Sequence, residues 1–172
     1  MYVNNEIGTI NPINKISQLA KKNEILMHTD AVQAMGKIKV DVKDMGVNML
    51  SLSGHKFYGP KGVGILFIKE GTVVKPSLFG GGQESDLFPG TENIINIGAI
   101  GKAAEICMDT IDLYSKKLKD LENYFLNSLN QSQIKYKING ENRAPGVLNI
   151  TLPKTNSQSF IINMDREGYA IS

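Results

Sequence analysis

Between Ile97 and Leu129, apolar and aromatic side chains recur in steps of three and four: Ile97, Ile100, Ala104, Cys107, Ile111, Tyr114, Leu118, Leu121, Phe125 and Leu129. This is the period of one face of an α-helix and predicts a single long amphipathic helix from about Asn93 to Leu129. A coiled-coil seam would share the spacing. The stripe carries Cys107 and Tyr114 and follows a domain-like stretch, which favours a core helix spanning a domain. After it the rhythm changes, so a domain boundary is expected near Asn130, with residues 1–130 in one unit and 131–172 opening a second.

Upstream, Asn11 is placed to cap a helix starting at Pro12 and running to about Lys22. Ile25 to Asp30 reads as a strand, Asp30 to Met35 as helical or irregular, and Lys37 to Val42 alternates as a strand does. Met49 to Ser53 reads as a strand broken at Gly54. Gly62 to Ile68 is another, with Gly59-Pro60-Lys61-Gly62 as the turn between them. Gly80-Gly81-Gly82-Gln83 is a loop. Downstream, Ile134 to Ile138 and Val147 to Leu152 read as strands, Ser157 to Arg166 as a helix, and Tyr169 to Ser172 as the start of a further strand. Strands alternating with helical or irregular stretches point to an α/β fold.

Composition excludes several classes. Of 172 residues, 41% are hydrophobic and 21% charged, with a formal charge of +2, which is ordinary for a globular domain. Lysine pairs are scattered rather than gathered, as on solvated faces, so nucleic-acid binding is not expected. No apolar run reaches the ~18 residues of a membrane helix, and the N-terminus has no signal-peptide pattern. One cysteine, Cys107, excludes an internal disulfide. A reducing cytoplasm fits. One Cys and two His are too few for a structural metal site. The chain opens abruptly at Tyr2-Val3 and stops within a strand-like segment, as a piece of a longer protein would.

Three polar clusters fall at strand ends: Asp30 with Gln33, Ser53-Gly54-His55-Lys56, and Gly90-Thr91-Glu92. Ligand sites in open α/β sheets lie beyond the carboxyl ends of strands. A lysine amine forms a Schiff base with an aldehyde cofactor, and a carboxylate keeps a pyridine nitrogen protonated. Lysine and aspartate together are the usual protein contribution to pyridoxal-phosphate (PLP) chemistry. Ser53 and His55, with nearby backbone N–H groups, could take the cofactor phosphate. Taken singly, Lys56 reads as a solvated surface lysine and Asp30 as a helix cap.

The literal strings add more. Asn4-Asn5-Glu6-Ile7-Gly8-Thr9, His28-Thr29-Asp30-Ala31-Val32-Gln33-Ala34, Leu52-Ser53-Gly54-His55-Lys56-Phe57-Tyr58-Gly59-Pro60-Lys61-Gly62, Gly80-Gly81-Gly82-Gln83-Glu84 and Gly90-Thr91-Glu92-Asn93 closely resemble the cysteine desulfurases of the class-V aminotransferase group. The resemblance runs in register along essentially the whole chain. It implies an α/β PLP-dependent transferase fold of type I, with part of the large-domain mixed sheet and part of the smaller α+β domain. It makes Lys56 the Schiff-base lysine. Asp30 would partner the pyridine nitrogen, Gln33 the ring's phenolic oxygen, and Ser53 and His55 the phosphate. Asn5 would lie near the substrate carboxylate and ring oxygen, and Thr91 would reach the phosphate of the partner subunit in a homodimer. The implied reaction takes sulfur from L-cysteine, leaving L-alanine and an enzyme persulfide that goes to a sulfur-acceptor or scaffold protein, for iron–sulfur cluster assembly or thiolation.

The resemblance also places the persulfide cysteine just beyond Ser172, the substrate-binding arginine further downstream, and the ring-stacking histidine and first phosphate loop upstream of Asn5. The chain thus reads as somewhat under half of a full member. Cys107 lies on the helix stripe, which predicts a buried, inert thiol. His28 shares a strand face with Asp30 but does not match the stacking position. Phe88 stands where many relatives carry arginine, which puts the dimer-facing loop in question. Gly54 to Lys61 faintly resembles a phosphate loop, but the lysine is displaced by one position and no Ser or Thr follows it. The neighbouring readings are another class-V PLP enzyme, such as a selenocysteine lyase or an aminotransferase, and a non-catalytic remnant.

Overall fold

The computed structural model describes residues 1–172. Its elements in order are α1 (Ile13–Lys22), β1 (His28–Asp30), α2 (Val42–Met45), β2 (Met49–Ser53), a 3-10 turn (Gly54–Phe57), β3 (Gly64–Ile68), α3 (Ile94–Gln131), β4 (Lys137–Asn139), β5 (Asn149–Thr151) and α4 (Ser157–Arg166).

The first sheet is mixed. β2 is central, parallel to β1 with Asp30 opposite Ser51, and antiparallel to β3 with Ser53 opposite Gly64. Alternation along the strands sends Thr29 and Leu50 into the core, where Leu50 packs with Val3, Ile13, Ala31, Ala34, Met45 and Val47. His28, Asp30, Ser51 and Ser53 take the opposite face, and His28 Nε2 lies 3.2 Å from Ser51 Oγ. Thr29 Oγ1 is buried without a partner.

The helix ends follow the backbone's need to satisfy orphan groups. The chain leaves α1, α3 and α4 through left-handed residues, Glu24, Gln133 and Gly168. In each case the next N–H reaches back five residues, as from Tyr169 to the Met164 carbonyl at 2.9 Å, the Schellman closure. This is why Tyr169–Ser172, expected as a strand, is irregular instead: Tyr169 closes α4 and no strand pairs with the residues after it. The expected cap Asn11 is also displaced. Its side-chain amide donates to the Met1 carbonyl at 2.8 Å, and Pro12 occupies the capping position without a side-chain bond.

Lys37–Val42 is not a strand. Ile38, Val40 and Val42 pack against the first core cluster, so their alternation serves burial rather than pairing. Asp41 accepts from the N–H groups of Lys43 and Asp44 at 3.0 and 3.2 Å and starts α2 there; these bonds hold its carboxyl below its usual range. β1 and β3 are shorter than expected, and α3 runs two residues further.

Only a small part of the long stripe is fully buried. Ile100 and Cys107 are buried, whereas Ile97, Leu121 and Phe125 remain exposed. At 1.5 Å per residue the 38-residue helix is roughly 57 Å long, more than one small core can cover. Beyond it β4 and β5 form a separate two-stranded sheet. The intervening turn folds back on the start of the chain: Thr9 and Arg143 form a bridge, Ala144 N–H donates to the Gly8 carbonyl at 2.9 Å, and Ala144 joins the first core. Arg143 pairs with Glu122 of α3, both half-buried.

Gly36 shows how tightly the pieces meet. Its φ is +77°, and a Cβ there would lie 3.2 Å from Cys107 Sγ and 3.3 Å from Phe57 Cβ. Gly36→Ala should therefore cost about 1–2 kcal/mol, seen as a drop of ~3–6 °C in melting midpoint. An unchanged or higher midpoint would mean that the loop has room the structure denies it.

Candidate functional site

Lys56 projects from the 3-10 turn that ends β2. Its neighbours Gly54 and Phe57 are buried, while His55 and Lys56 are exposed. The turn is closed on itself: Gly54 N–H donates to the Val63 carbonyl at 3.0 Å and Gly59 N–H to the Gly54 carbonyl at 2.9 Å. A Cβ at Gly54 would stand 2.9 Å from the Pro60 carbonyl oxygen and 3.1 Å from both Ile100 and Val63, so this packing requires glycine. The chain leaves the turn through Tyr58 at φ +67°, a conformation tolerated because its surroundings hold it.

α3 supplies that hold. Phe57 packs with Ile100 and Cys107, Cys107 Sγ donates weakly to the Phe57 carbonyl at 3.6 Å, and the Tyr58 and Tyr114 hydroxyls share a hydrogen bond, their rings edge to face. That bond pushes the Tyr114 phenol up, and burial does the same to the Cys107 thiol. Cys107 is thus a packing residue, as its place on the stripe predicts.

Asp30 ends β1, one strand away. Its Oδ1 accepts from Val32 N–H at 2.8 Å, and Ala31 N–H donates to the Ser51 carbonyl at 3.0 Å, fastening the Asp30–Gln33 segment to β2. Gln33 Oε1 accepts from Lys37 Nζ at 2.9 Å. On the lysine turn, Ser53 Oγ lies 3.0 Å from His55 Nδ1. The positive charge of Lys56 reaches Lys37 and, after burial, contributes to lowering its pKa. Asp30, Gln33, Ser53, His55 and Lys56 therefore occupy two adjacent segments at neighbouring strand ends.

Asn5 and Thr91 are less directly tied to the group. Asn5 is exposed in the loop after Val3. Asn4 shapes that loop by accepting from Glu6 and Ile7 N–H groups, both at 2.9 Å, and Tyr2 N–H donates to the Asp30 carbonyl at 2.6 Å. Thr91 is exposed just before α3, and no hydrogen bond joins it to the others. Two surface clefts, one lined by Ile134, Leu152 and Pro153 and the other by Glu122, Asn142 and Arg143, include none of these residues. Lys37, Tyr58 and Tyr114 were missed as supports of the site. Lys37 sat in an apparent strand, and Tyr114 looked like one more residue of an apolar stripe.

Residues 1–172 match the aminotransferase class-V family, whose members use PLP. The chain is 42% identical over 174 residues to the cysteine desulfurase IscS of Dictyoglomus turgidum, covering 100% of this chain and 44% of that protein. A solved NifS-like protein superposes with a TM-score of 0.94 at 33% identity, covering 100% of this chain and 48% of that one. The structure of SspA in complex with cysteine superposes at 0.77 and 33% identity, covering 99% and 47%. The chain spans about half the length of the relatives it matches. In sequence along its whole length and in fold, it belongs to the class-V aminotransferase family, as a homologue of the cysteine desulfurases.

Proposed function

We propose that the full-length protein is a PLP-dependent cysteine desulfurase, converting L-cysteine to L-alanine and passing the sulfur on as a persulfide. The observation that carries this reading is the placement of Lys56, on the turn that follows β2 and packs against α3, and of Asp30, at the end of β1, the strand paired with β2. The donor set suits the cofactor. One Asp30 oxygen is engaged by Val32, and the other, like the Gln33 amide nitrogen and the Lys56 amine, has no protein partner. When bound, PLP supplies an electron sink for bonds at the substrate α-carbon. Lys56 anchors it, Asp30 holds the proton on the pyridine nitrogen, and Gln33 donates to the phenolic oxygen. Ser53 and His55 bind the phosphate, Asn5 orients the substrate carboxylate, and Thr91 serves the partner subunit's phosphate.

Two parts of the architecture belong to the same proposal. Residues 1–130 form the C-terminal part of a large cofactor-binding domain and 131–172 the start of a small one, a division supported by the separate β4–β5 sheet. Exposed Phe88, Ile94 and Ile95, just before and at the start of α3, supply apolar surface of the kind a homodimer needs. Work in the cytoplasm beside a sulfur-acceptor or scaffold protein is also part of the proposal, and no helix is long and apolar enough to cross a membrane.

The test is release of alanine and sulfide from L-cysteine by the full-length protein, with reductant present. Turnover well above that of free PLP is expected. Turnover of L-selenocysteine alone, or amino transfer to a 2-oxo acid, would move the protein to another class-V activity, and no turnover would make it a remnant. The 172-residue chain assayed by itself should be inactive, because its one thiol, Cys107, is buried and held protonated. Activity of this chain that disappears in Cys107→Ser would make Cys107 the nucleophile and overturn its packing role.

A further inference from the structure

Lys37 lies just past the Asp30–Ala34 string and makes two contacts with Gln33: its Nζ donates to the side-chain Oε1 at 2.9 Å and to the main-chain carbonyl at 3.2 Å. An ammonium has three donors and no acceptor. The Gln33 atom facing it must therefore be the carbonyl oxygen, and the amide nitrogen is turned away from Lys37. The lysine itself is firmly placed. Its N–H donates to the Ala34 carbonyl at 3.0 Å, its own carbonyl accepts from Ser115 Oγ of α3 at 3.0 Å, and the preceding Gly36 abuts Cys107 and Phe57.

Lys37 is half-buried and has no acidic partner; Lys56 is the charged neighbour that acts on it, and that charge is of like sign. Such a placement is unfavourable for a lysine that merely closes a turn, since both burial and the like charge oppose its protonation.

We propose that Lys37 is a positioning residue: by pinning the Gln33 carbonyl it presents the Gln33 amide N–H to the phenolic oxygen of the cofactor held at Lys56. This rests on the cofactor reading above. The same α3 face that anchors the Lys56 turn through Cys107 and Tyr114 anchors Lys37 through Ser115, so donor and anchor share one rigid support.

The readout is the pH midpoint at which the visible band of the lysine-linked cofactor loses its Schiff-base proton in the full-length holoenzyme. A donor at the phenolic oxygen draws negative charge away from that proton and lowers the midpoint. Lys37→Met and Gln33→Ala should each raise it by about one unit, tenfold in proton affinity. The greater part of the Lys37→Met shift should vanish in a Gln33→Ala background, the non-additivity expected of residues acting as one unit. Lys37→Ala replaces Lys37→Met in the cycle if the methionine variant does not fold. No shift in the Lys37 variant, or a shift that keeps half or more of its size without Gln33, would overturn the positioning role and leave the cofactor site intact. A parent protein with no lysine-linked band would instead overturn the cofactor reading itself, and this inference with it.

Discussion

Lys56→Ala in the full-length protein should abolish the visible absorbance of lysine-linked PLP after dialysis and lower L-cysteine turnover by about a thousandfold or more, ~4 kcal/mol in the barrier. The effect should be chemical rather than structural. The Lys56 side chain is exposed and is not held by any side-chain hydrogen bond, and its turn is shaped by Gly54, Phe57 and Tyr58 against α3. Exposed substitutions away from packing contacts usually change stability by less than about 0.5 kcal/mol, so the melting midpoint should barely move. Lys37, the other amine near this point, is committed to Gln33 and does not replace it. An unchanged spectrum in the dialysed variant would remove Lys56 from its assigned role.

The second large effect is expected at Asp30. Asp30→Asn keeps a side-chain oxygen that can accept from Val32 N–H, so the turn after β1 is preserved while the charge is lost. In the proposed role, the pyridine nitrogen would then lose the negative charge that holds its proton. Turnover should fall by about a hundredfold or more, ~2.7 kcal/mol, with the cofactor still retained through Lys56. Turnover within about threefold of the parent, ~0.7 kcal/mol, would show that Asp30 is not the ring partner.

Much of this was legible in the sequence because it rests on local rules. The spacing from Ile97 to Leu129 can be buried on one face only by a helix, and α3 runs from Ile94 to Gln131. Met49–Ser53 and Ser157–Arg166 were readable to the residue, one ending at a glycine that packing demands and the other starting after Asn156, which caps it by accepting from Ser159 N–H. The strings around Asp30 and Lys56 carried the family as well, since each is a short contiguous segment.

Non-local physics decided the rest. Lys37–Val42 has the alternation of a strand but no edge on which to pair: β1 has β2 on one side, and on the other the Asp30 carbonyl accepts from Tyr2 N–H. Its apolar side chains are satisfied by packing alone. Tyr169 reads as strand, yet its N–H goes to the carbonyl five residues back in α4. The support of the site is likewise a tertiary fact. Cys107, Tyr114 and Ser115 lie 50 or more residues after the groups they hold, and nothing in their own neighbourhood marks them as more than residues of one helix. By itself the sequence determined the three longer helices and the family to which the chain belongs, because period and motif act over a few residues. Only the tertiary structure decided that one face of α3 holds both the Lys56 turn and the Gln33–Lys37 loop, because that depends on contacts between segments far apart in the chain.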